Sequence, residues 1–178
     1  EDVDRAVKLG VSRIYFEDDN LFFNKKRLIK LAPYLKRENL SYSLVNGANL
    51  RFLVEKTNGH YEPDHEFINT LAWFGLKELT LPFETKSQEM MNKYATGKFD
   101  PEEMDPIGIV KSLKKSGIRA GSNFLIGFRD ESWESILETK NFAKNLISEG
   151  LDQVGFHIPV PYPGTKDFEF QMSKSDIR

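Results

Sequence analysis

The chain contains no cysteine. That absence excludes disulfides, thiolate-held metal sites and a cysteine nucleophile from this polypeptide. Long hydrophobic runs are missing as well. The longest, such as residues 124–126 and 158–160, fall far short of the roughly 20 apolar residues that cross a bilayer. Neither sign of charge prevails, and a net charge of -2 gives no electrostatic reason to expect a nucleic acid or an anionic membrane as partner. There is no phosphate-cradling GxxxxGK(S/T), no GxGxxG and no HExxH. No signal-peptide pattern opens the chain, because residues 1–10 are charged and amphipathic. The default compartment is therefore the cytoplasm.

What is present suits one packed domain over residues 1–178: 39% of residues are hydrophobic and 29% charged. Residues 1–10 read as the second half of a helix, with Val3, Ala6, Val7 and Leu9 on its apolar face and Gly10 as its stop. No initiator Met precedes them. A piece cut from a longer protein is expected, and the polar residues 173–178 read as the start of something continued.

Short β-rich runs then alternate with longer helical ones. Strands are expected over residues 11–16, 41–45, 76–83, 118–126 and 151–158, the first of them buried. Asn24 caps an expected helix with Leu28, Ile29, Leu31, Ala32 and Leu35 inward and Pro33 inside it. Residues 50–61 read as a short helix and loop with a turn at Asn58-Gly59. Asp64 caps a helix to Phe74, stopped by Gly75. A further helix covers residues 87–94 and ends near Gly97. Asp100-Pro101 opens the next, with Ile107, Ile109, Val110 and Leu113 inward and Gly117 at its end. Residues 131–149 form a long amphipathic helix ended by Gly150. Strand starts roughly 30–40 residues apart are typical of parallel βαβ units. Such units build an open doubly wound sheet or a closed or partial barrel, and both bind ligands at the carboxyl ends of the strands.

Four strand ends carry unusual chemistry. Glu17-Asp18-Asp19-Asn20 gathers carboxylates that repel one another unless solvated or paired, and they suit an ammonium group or a metal; helix capping and loop solvation are the plain alternative. Pro82-Phe83-Glu84-Thr85-Lys86-Ser87 places a carboxylate just past a strand with hydroxyls behind it. That arrangement suits a sugar diol, or an ordinary cap. In the run from Ser122 to Glu131, Gly127 permits close backbone approach to a flat ligand, and Asp130 or Glu131 stands near a helix start. An ordinary βα turn is the plain alternative. Pro159-Val160-Pro161-Tyr162-Pro163-Gly164-Thr165 is stiff and extended, so its backbone groups are free to read a base edge or simply to reverse the chain. His60, His65 and His157 show no metal-ligand spacing. Phe22, Phe23, Trp73, Phe74 and Trp133 read as packing groups, and Lys25-Lys26 and Lys114-Lys115 as solvated faces.

In order, these segments resemble the radical S-adenosylmethionine superfamily. They look most like the branch associated with a cobalamin-binding domain, which includes the magnesium-protoporphyrin ester oxidative cyclase type. Residues 14–22 are similar to that branch's strand ending in paired Asp. Residues 81–87 with Met91 and Gly97-Lys98 resemble its "ESGS…L…GK" segment. Gly117-Ile118-Arg119, residues 124–128 and Glu131 are similar to its "GI…FiiGfPGE" run, with Arg129-Asp130 in place of Pro-Gly. Pro161-Tyr162-Pro163-Gly164-Thr165 looks like its "PyPGT" close.

The resemblance implies an α/β fold: a partial (βα)6 TIM-like barrel, truncated to helix 1 through strand 6, with five parallel strands. It implies an enzyme that reductively cleaves S-adenosylmethionine to a 5′-deoxyadenosyl radical, which abstracts hydrogen from a small-molecule or cofactor-like substrate. S-adenosylmethionine and a 4Fe–4S cluster are the implied cofactors, with cobalamin a further one in the intact enzyme, and an electron donor is an implied partner. The CxxxCxxC loop that ligates the cluster is absent, so this chain supplies no cluster ligand and no catalytic residue. The implied cofactor contacts are Asp19 on the methionine ammonium with Glu17 and Asp18 in support, Glu84 and Ser87 on the ribose or methionine carboxylate side, Asn123, Phe124 and Gly127 along adenine and ribose, and Pro161 and Tyr162 facing the adenine. Two other readings stand beside this one: a Mg²⁺-dependent barrel enzyme using Glu17, Asp18, Asp19 and Glu84, and a non-catalytic scaffold. An open sheet edge near residues 11–16 would allow dimerisation.

Overall fold

The computed structural model describes residues 1–57, 59–94 and 103–174. Its elements follow the chain as α1 (Asp2–Lys8), β1 (Arg13–Phe16), α2 (Lys25–Leu35), β2 (Ser41–Leu44), β3 (Val54–Thr57), β4 (His60–Pro63), α3 (His65–Phe74), β5 (Leu76–Glu84), α4 (Gln88–Tyr94), α5 (Pro106–Lys115), β6 (Arg119–Leu125), α6 (Trp133–Glu149), β7 (Gln153–His157) and α7 (Lys166–Lys174). Five strands form one parallel sheet in the order β1-β2-β5-β6-β7.

That order follows the chain without reversal. Right-handed crossovers feeding strands added in one direction place the helices on a single face, as in a barrel wall; a doubly wound sheet reverses its order at a switch point. Burial agrees. Along β6, Ala120, Ser122 and Phe124 are buried while Arg119 and Asn123 are exposed. On the covered face α3 packs on β5, α5 on β6 and α6 on β7. Phe83, Phe124 and Phe142 form the aromatic centre of that layer, with ring centroids 5.6–6.2 Å apart.

The helix starts rest on the residues that the sequence marks. Asn24, Asp64 and Ser132 accept hydrogen bonds from the amides of Arg27, Phe67 and Ser135. Gly75 and Gly150 end α3 and α6 with positive φ, a conformation glycine adopts without strain.

Several expectations are corrected. Residues 11–16 do not form a buried strand. β1 starts at Arg13 and lies at the sheet edge, where Tyr15 is exposed and only Ile14 and Phe16 pack inward. Residues 50–61 hold a 3-10 turn (Leu50–Phe52) and then the antiparallel hairpin β3–β4; Asn58 of its turn lies outside the described residues. The helix expected from Asp100-Pro101 starts at the next Asp-Pro pair, where Asp105 caps α5 by accepting from the Gly108 amide at 2.9 Å. Asp100, Pro101, Gly97 and Lys98 lie outside the described residues, as do residues 175–178. The apolar face expected on α1 is only partly covered: Val3 and Ala6 are half-buried, Val7 is exposed, and Leu9, just past the helix, is 75% exposed. α7 had no counterpart in the sequence reading. Among the described residues no helix is long and apolar enough to cross a membrane.

Candidate functional site

The carboxyl ends of the five strands are tied to one another in sequence. Asn46 Nδ2, just after β2, donates to the Glu17 carbonyl after β1 at 2.8 Å. The Ala48 amide donates to the Thr80 carbonyl of β5 at 2.8 Å. Glu84 pairs in register with Phe124 of β6, and the Ile126 amide donates to the His157 carbonyl of β7 at 3.0 Å. Four of the strand ends singled out in the sequence thus share one edge of the sheet.

The first is solvated. Glu17, Asp18 and Asp19 are exposed in the loop after β1, and the Asn20 Oδ1 behind them is buried without a hydrogen-bond partner among the described residues.

The second is rigid. Glu84 ends β5 at φ 62, a left-handed conformation that costs a residue with a Cβ about 1–2 kcal/mol. The Thr85 amide donates to the Phe83 carbonyl at 2.7 Å, closing a three-residue turn around Glu84. Glu84 is 8% exposed and Thr85 fully buried. Ser87 Oγ accepts from the Met90 amide at 3.3 Å and so helps start α4.

The third turn is organised by Glu131. Its carboxylate accepts from the amides of Gly127, at 2.7 Å, and Phe128, at 3.3 Å, and from the Ser135 hydroxyl at 2.8 Å. Gly127 has φ 81, which glycine alone tolerates readily. Asn123 faces the open side, where its Oδ1 lies 3.1 Å from His157 Nε2. Phe124 does not face that side. Its ring is fully buried against Phe83, Phe142 and Phe156, so its side chain belongs to the core, because alternate residues of a strand point to opposite faces.

The fourth end, after β7, turns at Tyr162, whose carbonyl accepts from the Thr165 amide and hydroxyl at 3.1 and 2.7 Å. Pro161 is half-buried and Tyr162 exposed. Together with Gly127 and Phe128 these residues line a cleft of ≈310 Å³. A second cleft, of ≈360 Å³, crosses the open face of the sheet and touches Tyr15, Glu78, Thr80, Asn123 and Gln153. Ser43 Oγ is buried without a hydrogen-bond partner among the described residues.

Two features were not legible in the sequence. Thr139 of α6 is fully buried and bonds to the segment after Glu84. Arg129 and Asp130 join an ionic network with Lys93 of α4 and Asp167 of α7. The Lys93 ammonium, and after it the Arg129 guanidinium, hold the Asp130 carboxyl down at about 2.

Among the described residues no group of three or more His, Asp or Glu side chains is placed to hold a metal ion. Glu17, Asp18, Asp19 and Glu84 therefore do not converge into the Mg²⁺ site of the alternative reading. The residues do not fit an iron–sulfur cluster either, since the chain has no thiolate.

TsrM from Kitasatospora setae, a radical S-adenosylmethionine methyltransferase solved with cobalamin and a 4Fe–4S cluster bound, superposes with a TM-score of 0.71 at 15% identity, over 90% of this chain and 30% of that one. The chain has the fold of the radical S-adenosylmethionine enzymes. A second such structure, the cobalamin-dependent S-adenosylmethionine radical enzyme OxsB, gives a TM-score of 0.64 at 18% identity over 79% of this chain and 21% of that one. Its structural neighbours are thus the cobalamin-dependent radical S-adenosylmethionine enzymes whose motifs the sequence resembles.

By sequence, the chain is 29% identical over 166 residues to an uncharacterized methyltransferase of Pyrococcus horikoshii, covering 93% of this chain and 33% of the relative. It is 27% identical over 150 residues to bacteriochlorophyllide d C-8(2)-methyltransferase of Chlorobaculum tepidum, covering 84% and 30%. The chain spans about a third of the length of the curated relatives it matches. No family model matches it.

Proposed function

We propose that this chain forms the S-adenosylmethionine-binding wall of a radical S-adenosylmethionine enzyme, within a protein that carries out methyl transfer or radical chemistry on a substrate of unknown identity. The observation that carries the reading is Glu84. A buried carboxylate in a left-handed turn at a strand's carboxyl end is costly, and such strain clusters where ligands bind.

The donor set fits the cofactor. S-adenosylmethionine carries an ammonium and a sulfonium, and when bound it supplies an activated carbon–sulfur bond. The carboxylates of Asp19, Glu17 and Asp18 have the charge sign that holds the ammonium. Glu84 and Ser87 would accept from the ribose hydroxyls or flank the methionine carboxylate. Gly127, which leaves room for close approach, and Asn123 would border the adenine and ribose, with the backbone of Phe124 beside them. Pro161 and the backbone at Tyr162 would close the adenine side. The orphaned Asn20 Oδ1 supports a polar ligand near this edge. The chain's own residues bind and orient; cluster ligation falls to groups outside it.

Isothermal titration of the intact protein with S-adenosylmethionine tests the reading. Asp19→Ala and Glu84→Ala should each weaken binding by about tenfold or more, the worth of a charge-assisted hydrogen bond. Unchanged affinity in both variants would sink it.

A further inference from the structure

We infer that Thr139 of α6 is a positioning residue that sets the orientation of Glu84 without touching the ligand. The inference rests on the proposed role of Glu84.

Thr139 is on the helix face turned toward the sheet, and its side chain is fully buried, as is that of Thr85. A buried hydroxyl must find partners, and both of these do so in each other and in the segment after Glu84. The two Oγ1 atoms are 3.1 Å apart. Thr139 Oγ1 also accepts from the Lys86 amide at 3.1 Å, and Thr85 Oγ1 accepts from the Ser87 amide at 3.1 Å. Residues 85–87 are therefore knitted to α6 through one hydroxyl.

Glu84 stands immediately before that knot, in the turn closed by Thr85 and Phe83. A left-handed φ at a glutamate relaxes unless its surroundings over-determine it. On the upstream side β5 is held in the sheet by β6. On the downstream side the bonds to Thr139 fix Thr85 and Lys86. Removing that anchor frees the turn to swing into an ordinary backbone conformation and carries the Glu84 carboxylate away from the strand-end edge. Valine matches threonine in shape and lacks only the hydroxyl, so packing alone predicts no effect from Thr139→Val.

The test uses the intact protein and two readouts: calorimetric affinity for S-adenosylmethionine, and amide hydrogen exchange at Lys86 and Ser87. Thr139→Val should weaken binding on the order of tenfold and speed exchange of both amides, whereas Thr139→Ser, which keeps the hydroxyl, should restore both. In the Glu84→Gln background, Thr139→Val should add little, because both changes act through one carboxylate. Thr139→Val binding as tightly as the parent while Glu84→Gln is weakened overturns the inference and leaves the cofactor reading standing. Glu84→Gln binding as tightly as the parent removes Glu84 from the cofactor site and leaves the reading to Asp19; exchange then decides the anchor alone, with faster Lys86 exchange in Thr139→Val supporting it and unchanged exchange overturning it. Should Thr139→Ser lose affinity as fully as Thr139→Val, the hydroxyl is not the cause and the inference fails.

Discussion

Arg129, in the loop after β6, reaches Asp167 of α7 at 2.8 Å and lies over the Phe170 ring at 4.4 Å from its centroid. The loop after β6 and helix α7 are thereby latched together, and Asp130 extends the latch to Lys93 of α4. These ion pairs are exposed to solvent, which screens them, so they add little to global stability. Arg129→Ala should therefore leave the unfolding midpoint nearly unchanged but loosen α7. Limited proteolysis should show faster cleavage around residues 162–170. An undiminished resistance there would mean that α7 is held by packing alone.

Asp130 gives the latch a pH dependence of known sign. Its carboxyl is depressed to about 2, first by Lys93 and then by Arg129. A depressed carboxyl stabilises the folded state above its ordinary value, and that stabilisation is lost as pH falls through the folded value. The latch should be complete at neutral pH and fail between the ordinary carboxylate range and about pH 2. Carbon-13 titration of the Asp130 carboxyl checks this; a midpoint in the ordinary range would show that the Lys93 contact does not persist in solution.

Glu84→Gly separates strain from function. Glycine accepts φ 62 freely, which removes a cost of about 1–2 kcal/mol. The melting temperature should hold or rise while S-adenosylmethionine affinity falls. A large drop in stability would instead make Glu84 a structural residue.

Phe124 tests the opposite assignment. Its ring fills the space between Phe83 and Phe142, so Phe124→Ala should destabilise by about 3–5 kcal/mol in urea unfolding. A loss below about 1 kcal/mol would contradict its placement in the core.

The strand ends and helix caps were legible because they depend on local chemistry. Asn24, Asp64 and Gly150 announce helix boundaries by residue type alone. The consecutive strand order was open until the structure gave it, since an open sheet and a barrel wall share the same βα pattern. The β3–β4 hairpin was missed because Glu55, Lys56 and Glu62 leave it with little apolar alternation. Residues 11–16 read as buried from composition, yet burial also depends on having neighbours on both sides, and among the described residues β1 pairs on one side only. That the Phe124 ring belongs to the core was not legible without the strand's facing parity. Thr139, between Glu138 and Lys140 on an amphipathic helix, carries no local signal at all; its partners lie 53 and 54 positions away in sequence.

The most direct measurement is a crystal structure of the intact protein with S-adenosylmethionine bound. The expected result is cofactor density along the carboxyl ends of β1, β5 and β6, within hydrogen-bonding distance of Asp19 and Glu84 and against Gly127. Density on the helical face or at the amino ends of the strands, with Glu84 untouched, would contradict the assignment.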